Sequence, residues 1–141
     1  MFQELDKNIE KGGLVDWDKR LIISSSAHLV FDFHQQVDGM QETVRDGQEG
    51  HTKIGTTKKG IGPAYSSKMS RNGIRIIDLL NDFDKFKQKF EILANSFVKL
   101  FPDLVVDKQA EYQRYEQLRE RIRPLVVDSM YYLHDRYEDQ E

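Results

Sequence analysis

From Leu29 onward, the apolar residues Val30, Phe33, Val37, Met40 and Val44 recur at alternating steps of three and four. That period places them on one face of an α-helix and does not fit the two-residue period of a strand. Asp46-Gly47 and Gly50 supply the stop signals expected beyond it. The same register returns twice. A second helix is expected from near Asp84, with Phe86, Phe90, Leu93, Phe97 and Leu100 on one stripe and Pro102 ending it. A third is expected from about Lys108, carrying Tyr115, Leu118, Ile122 and Leu125, with Pro124 forcing a kink or break because it has no N–H to donate. Only Arg20 to Ser24, centred on Leu21, Ile22 and Ile23, reads as a short buried strand. Ser24-Ser25-Ser26 then offers hydroxyls suited to a helix N-cap. The chain is thus expected to be mainly α-helical with a short strand near residues 20–24.

Between the first two helical stretches lies Gly55 to Arg71, GTTKKGIGPAYSSKMSR, which has the composition of a phosphate site. Gly55, Gly60 and Gly62 permit backbone angles and close approaches that let successive amides converge on an anion, and Pro63 stiffens the turn. Thr56 and Thr57 carry hydroxyls able to donate to phosphate oxygens. Lys58, Lys59, Lys68 and Arg71 supply charge, Arg71 with a planar fork that grips two oxygens at once. A solvated basic loop satisfies the same composition, so composition alone leaves both readings open.

The order of the residues separates them. Gly60-Ile61-Gly62-Pro63-Ala64-Tyr65-Ser66-Ser67-Lys68-Met69-Ser70-Arg71 resembles, without a mismatch, the G-I-G-P-x-Y-x-x-K-x-x-R signature of the adenylosuccinate synthetase family. Gly55-Thr56-Thr57 leads into it and Arg75 follows it as in that family, and the run from Arg20 through Ala27-His28-Leu29-Val30-Phe31-Asp32-Phe33-His34 is similar too. One departure is Ser24-Ser25-Ser26-Ala27-His28 where the family pattern is S-D-R-A-H, with the loss of one negative and one positive charge.

The resemblance implies an α/β parent fold. It implies an enzyme that joins aspartate to inosine monophosphate (IMP) with GTP and Mg2+, through a 6-phosphoryl intermediate, in purine nucleotide biosynthesis. Thr57 matches the threonine that binds the IMP 5′-phosphate. Arg71 matches an arginine that reaches the IMP of the neighbouring subunit, so the implied assembly is a homodimer with a shared site. Thr56, Lys68 and Arg75 are implied as support for the phosphate. The family's glycine-rich G-D-E-G-K-G-K loop, which carries the catalytic base, has no counterpart here, nor do its G-A-Q-G, aspartate-binding and guanine-recognition segments. Residues 1–141 are therefore expected to form an internal segment with an IMP-phosphate loop at 55–75, holding no catalytic residue, metal ligand or GTP contact and inactive alone. The alternative is a truncated, non-catalytic relative that acts as an interaction or regulatory partner.

The remaining residues favour plainer readings. A formal net charge of −3 gives no reason to expect nucleic acid, and zero cysteines exclude a disulfide framework or thiolate metal site. No apolar run approaches the roughly 18 residues of a membrane-spanning helix, and Met1-Phe2-Gln3-Glu4 does not read as a signal peptide. A cytoplasmic setting is expected. His28 and His34 are six residues apart, off the three-or-four spacing of a shared helical metal site, and read as structural or solvated, with His51 and His134 isolated. Asp82, Asp84 and Asp107 precede helical stretches and read as caps. Phe86, Phe90 and Phe97 read as core rather than as a base-stacking platform.

Overall fold

A computed structural model describes residues 2–46 and 57–138, with backbone alone for 43–46. Three short elements come first: α1 (Phe2–Glu10), α2 (Trp17–Arg20) and β1 (Ile23–Ser24). Then follow α3 (Asp32–Asp46), α4 (Ile61–Met69), α5 (Ile76–Asn81), α6 (Phe83–Leu100) and α7 (Lys108–Ile122). A 3₁₀ turn (Arg123–Leu125), β2 (Val126–Val127) and α8 (Ser129–Glu138) complete the described chain.

The long helices begin where the capping residues dictate. Asp82 Oδ1 accepts the amides of Asp84 and Lys85, each at 3.1 Å, and opens α6. Asp107 Oδ1 accepts the Ala110 amide at 3.0 Å and opens α7. At the start of α3, the ring of His34 reaches back three residues so that Nδ1 accepts the Phe31 amide at 3.1 Å, the reciprocal half of a capping box made by an imidazole. Val30 thus lies before α3 rather than on its face, and Val44 lies where no side chain is described.

The predicted stripes meet in one aromatic core. Phe31 and Phe33 from the start of α3, Phe86, Phe90 and Leu93 from α6 and Tyr115 from α7 are buried together. Phe31 stacks on Phe33 with centroids 5.2 Å apart and meets Phe90 edge-on at 5.0 Å, the offset geometries that ring quadrupoles favour. Pro124 falls in the 3₁₀ turn, where its missing N–H costs no helical bond.

The strand expected at residues 20–24 contracts to Ile23–Ser24. Arg20 closes α2 and Leu21 donates to Trp17 O at 2.9 Å, which uses the amide that a longer ladder would need. The partner is the equally short β2, parallel and in register Ile23 with Val126 and Ser24 with Val127. Ser24-Ser25-Ser26 caps no helix. Ser24 Oγ instead accepts the Ser26 amide at 3.2 Å and hydrogen-bonds Ser129 Oγ at 2.8 Å, while Leu29 N–H donates to Ile74 O at 2.8 Å and Ile76 N–H to Ala27 O at 2.9 Å. Residues 25–29 are thereby laid against 74–77.

The signature expected as part of a loop at 55–75 is largely helix, since α4 runs through Ile61–Met69. Pro63 sits in its first turn, where the amide it lacks would have had no intrahelical partner. A Cβ on Gly62 would meet nothing, so that glycine's conformational freedom is unused. Gly55 and Thr56 lie outside the described residues.

Candidate phosphate site around the signature helix

Gly60 seats α4 on α3. Its φ is +75°, and a Cβ there would fall 2.7 Å from the Gln35 amide nitrogen and 2.8 Å from the His34 carbonyl carbon. Glycine alone allows that approach. Its amide donates to the buried carboxylate of Asp38 at 2.9 Å. Two turns on, Ser67 Oγ donates to Pro63 O at 3.1 Å and lies 3.4 Å from His34 Nε2. Because Nδ1 already accepts the Phe31 amide, the proton of a neutral His34 sits on Nε2 and is directed at Ser67. Burial pushes the His34 pKa down to about 4, so the ring is neutral near pH 7.

Held this way, α4 lies between two clefts, and a smaller one of about 230 Å³, lined by Arg71, Asn72, Gly73, Lys89 and Ser96, adjoins both. Thr57, Ser66, Ser70 and Asn72 line one of about 620 Å³ between α3, α4 and α6. Lys68, Arg71 and Arg75 line the other, of about 680 Å³, with His28, Asp78 and Lys89. The structure therefore gathers three of the sequence-predicted phosphate residues and sets Thr57 apart from them.

The turn carrying Arg71 is unusual in its chemistry. Arg71 N–H donates to Lys68 O and Asn72 N–H to Ser67 O, each at 3.1 Å, the paired bonds of a Schellman closure. The residue that must be left-handed in that motif is usually glycine, yet here it is Arg71, at φ +61°. Among the described residues its guanidinium has no ion-pair partner, and neither do those of Arg75 and the ammonium of Lys68, which sits 5.7 Å over the Tyr65 ring. Asp78, the one carboxylate in the cleft, is already engaged. It accepts Lys89 Nζ at 2.6 Å and the Arg75 amide at 2.8 Å. Partial burial raises its pKa, but the bonds from Lys89 and Arg75 outweigh that and hold it below the usual carboxylate value.

A family model for adenylosuccinate synthetase matches residues 1–141. The chain belongs to the adenylosuccinate synthetase family. Among solved structures it is similar to the fully ligated adenylosuccinate synthetase from Plasmodium falciparum, with 33% identity and a TM-score of 0.81. That match covers 99% of this chain and 32% of the Plasmodium chain, so the described helices and two-residue strands correspond to part of a larger α/β enzyme. The signature of the adenylosuccinate synthetase family thus coincides with the helix that separates the two clefts. His28, Asp78 and Lys89 fall outside the signature, and no spacing marks them, because three distant segments bring them together. Ser66 and Ser70 follow Gly62 at steps of four, a helical signal legible once Gly60 to Arg71 is read as helix.

Proposed function

We propose that this chain supplies the IMP-phosphate segment of a GTP-dependent ligase that joins IMP to aspartate, with Thr57 serving the IMP of its own subunit and Arg71 that of a partner copy. The observation that supports this reading is that Thr57, before α4, and Arg71, after it, line different clefts, with no cleft lined by both among the described residues. A single phosphate held by one subunit would call for the hydroxyl and the guanidinium in one cavity. Two phosphates, one on each side, fit a homodimer with shared sites. Lys68 and Arg75 flank Arg71 and add charge to the same cleft, where a charge-assisted bond to phosphate is stronger than a neutral one.

The family reaction also uses GTP and Mg2+. Among the described residues no group of three or more His, Asp or Glu side chains could hold a metal ion. The general base and the nucleotide pocket are likewise assigned to none of its residues. No described helix is long and apolar enough to cross a membrane.

Sedimentation equilibrium of the 141-residue chain at increasing IMP tests the shared site. IMP is expected to promote self-association. Arg71→Leu is expected to lose that effect together with about 10- to 100-fold in IMP affinity. Thr57→Ala is expected to weaken IMP binding while leaving the coupling in place. Equal IMP-linked association of parent and Arg71→Leu chains would overturn the assignment, and GTP-dependent adenylosuccinate formation by the chain alone would overturn its reading as a segment without the catalytic base.

A further inference from the structure

We propose that His28 is a further oxyanion ligand of the Lys68–Arg71–Arg75 cleft and takes up a proton from solvent as a phosphate-class dianion enters. This rests on the reading above that the cleft receives phosphate, and adds to it a residue and a pH dependence.

The ring is placed rather than loosely attached. An antiparallel bridge pairs His28 with Arg75, and the next amide, Leu29 N–H, donates to Ile74 O at 2.8 Å. The imidazole lies against Gly73, where a Cβ would fall 2.7 Å from Cδ2 and 3.3 Å from Nε2. Any larger residue at 73 would displace it. Neither ring nitrogen has a hydrogen-bond partner among the described residues. A half-buried imidazole lining a cleft with both nitrogens uncommitted is available to a ligand.

The surroundings disfavour the charged form of the ring. Tyr65 and Lys68 face it from α4, Arg71 from the following turn, Arg75 and Asp78 from the entry and first turn of α5, and Lys89 from α6. Burial lowers the His28 pKa, Arg75 and Lys68 lower it further, and Asp78 opposes them. Lys89 already neutralises Asp78, so cations dominate. A dianion reverses that balance. It cancels the field of Arg75 and Lys68 and itself attracts an imidazolium, so proton and anion binding assist one another.

The test uses the full chain and inorganic sulfate at constant ionic strength, because sulfate stays dianionic across the range where His28 titrates. The His28 ring resonance is followed by NMR from pH 5.5 to 8, with and without sulfate. Sulfate is expected to raise the His28 pKa by about one unit, and by linkage to bind more tightly as pH falls, by about tenfold once the pH is below the sulfate-free His28 pKa. His28→Gln is expected to keep the weaker, high-pH affinity at every pH, and Gly73→Ala to flatten the profile by moving the ring. The parent titration alone decides if either variant fails to fold. Sulfate-induced shifts at Lys68 and Arg71 with an unmoved His28 titration would overturn this inference and leave the phosphate site standing. No shift at any cleft residue would overturn both.

Discussion

Arg114, on α7, donates to Asp32 at 2.6 Å and to Glu111 at 2.8 Å and lies 5.1 Å over the Tyr115 ring. Arg71, in the turn after α4, has no carboxylate partner among the described residues and sits on a left-handed backbone. The two arginines stand for two regions. Where α3, α6 and α7 meet, charge is consumed by architecture: burial pushes the Glu111 carboxyl and the Tyr115 hydroxyl upward, Arg114 opposes both, and the cluster ties α7 to the first turn of α3. Along the outer face of α4, Lys68, Arg71 and Arg75 are gathered around a single carboxylate, Asp78, that Lys89 already engages, and the backbone is left-handed where Arg71 is displayed. Uncompensated charge on a left-handed turn is the pattern expected of the binding role proposed for Arg71.

The comparison breaks first on packing. Phe90 is fully buried among Phe31, Phe33, Tyr112 and Tyr115. Phe90→Ala is expected to cost about 3–5 kcal/mol. Tyr65 on α4 is 58% exposed, and Tyr65→Ala is expected to cost no more than about 0.5 kcal/mol. Urea unfolding midpoints measure both. A loss at Tyr65 approaching that at Phe90 would show that the outer face of α4 is architectural.

His34 sits on the seam between the regions. Above pH 6.5 the ring is neutral whether the chain is folded or unfolded. Below it the unfolded chain takes up a proton that the folded chain refuses until about pH 4. Stability is therefore expected to be level above pH 6.5 and to fall by about 3 kcal/mol between pH 6.5 and 4. Urea unfolding of the parent and of His34→Gln across that range checks it, since the variant is expected to lose this part of the slope. Identical slopes would place the acid sensitivity elsewhere.

The architectural region was the more legible of the two. Apolar steps of three and four, with Asp82 and Asp107 as caps, mark α6 and α7 almost to the residue, because local periodicity and local hydrogen bonds decide those helices. Three features escaped such reading for one reason: each depends on residues distant in the chain. Val126–Val127 becomes a strand only because Ile23–Ser24 lies beside it. His34 caps its own helix through Nδ1, yet the acceptor that its Nε2–H meets, Ser67, comes from α4. The signature lettering singles out Lys68 and Arg71, and Arg75 just beyond it, but their placement away from Thr57 follows from α4 being a helix seated through Gly60, and glycine and proline within the run argue locally for a turn.

Arg114 offers a smaller and sharper test. Arg114→Met leaves Asp32 and Glu111 facing each other without a counter-charge. A fully buried pair broken in this way costs about 3–5 kcal/mol, but the Arg114 side chain is 39% exposed and water screens part of the loss. About 1–2 kcal/mol is expected. The loss should grow as pH rises through the carboxylate range, where both acids become charged, and a pH series of thermal melts reads it. A loss under about 0.3 kcal/mol would mean that the cluster is no more architectural than Arg71.

The smallest effect has the opposite sign. At φ +61° Arg71 occupies the left-handed region, where a side chain with a Cβ costs about 1–2 kcal/mol and glycine costs none. Glycine also loosens the unfolded chain, which returns about 0.5–1 kcal/mol of that gain. Arg71→Gly is therefore expected to stabilise the fold by about 0.5–1 kcal/mol, a rise in melting temperature of roughly 2–3 °C for a chain of this length. Arg71→Ala keeps the Cβ and should show no such rise, which separates relief of backbone strain from removal of the guanidinium. Both variants should lose IMP affinity to a similar degree, since both remove the charged fork. Calorimetric melts and IMP titrations of the same preparations test the two halves together. A less stable Arg71→Gly chain would mean that the arginine side chain supports the turn, and the contrast between Arg71 and Arg114 would collapse.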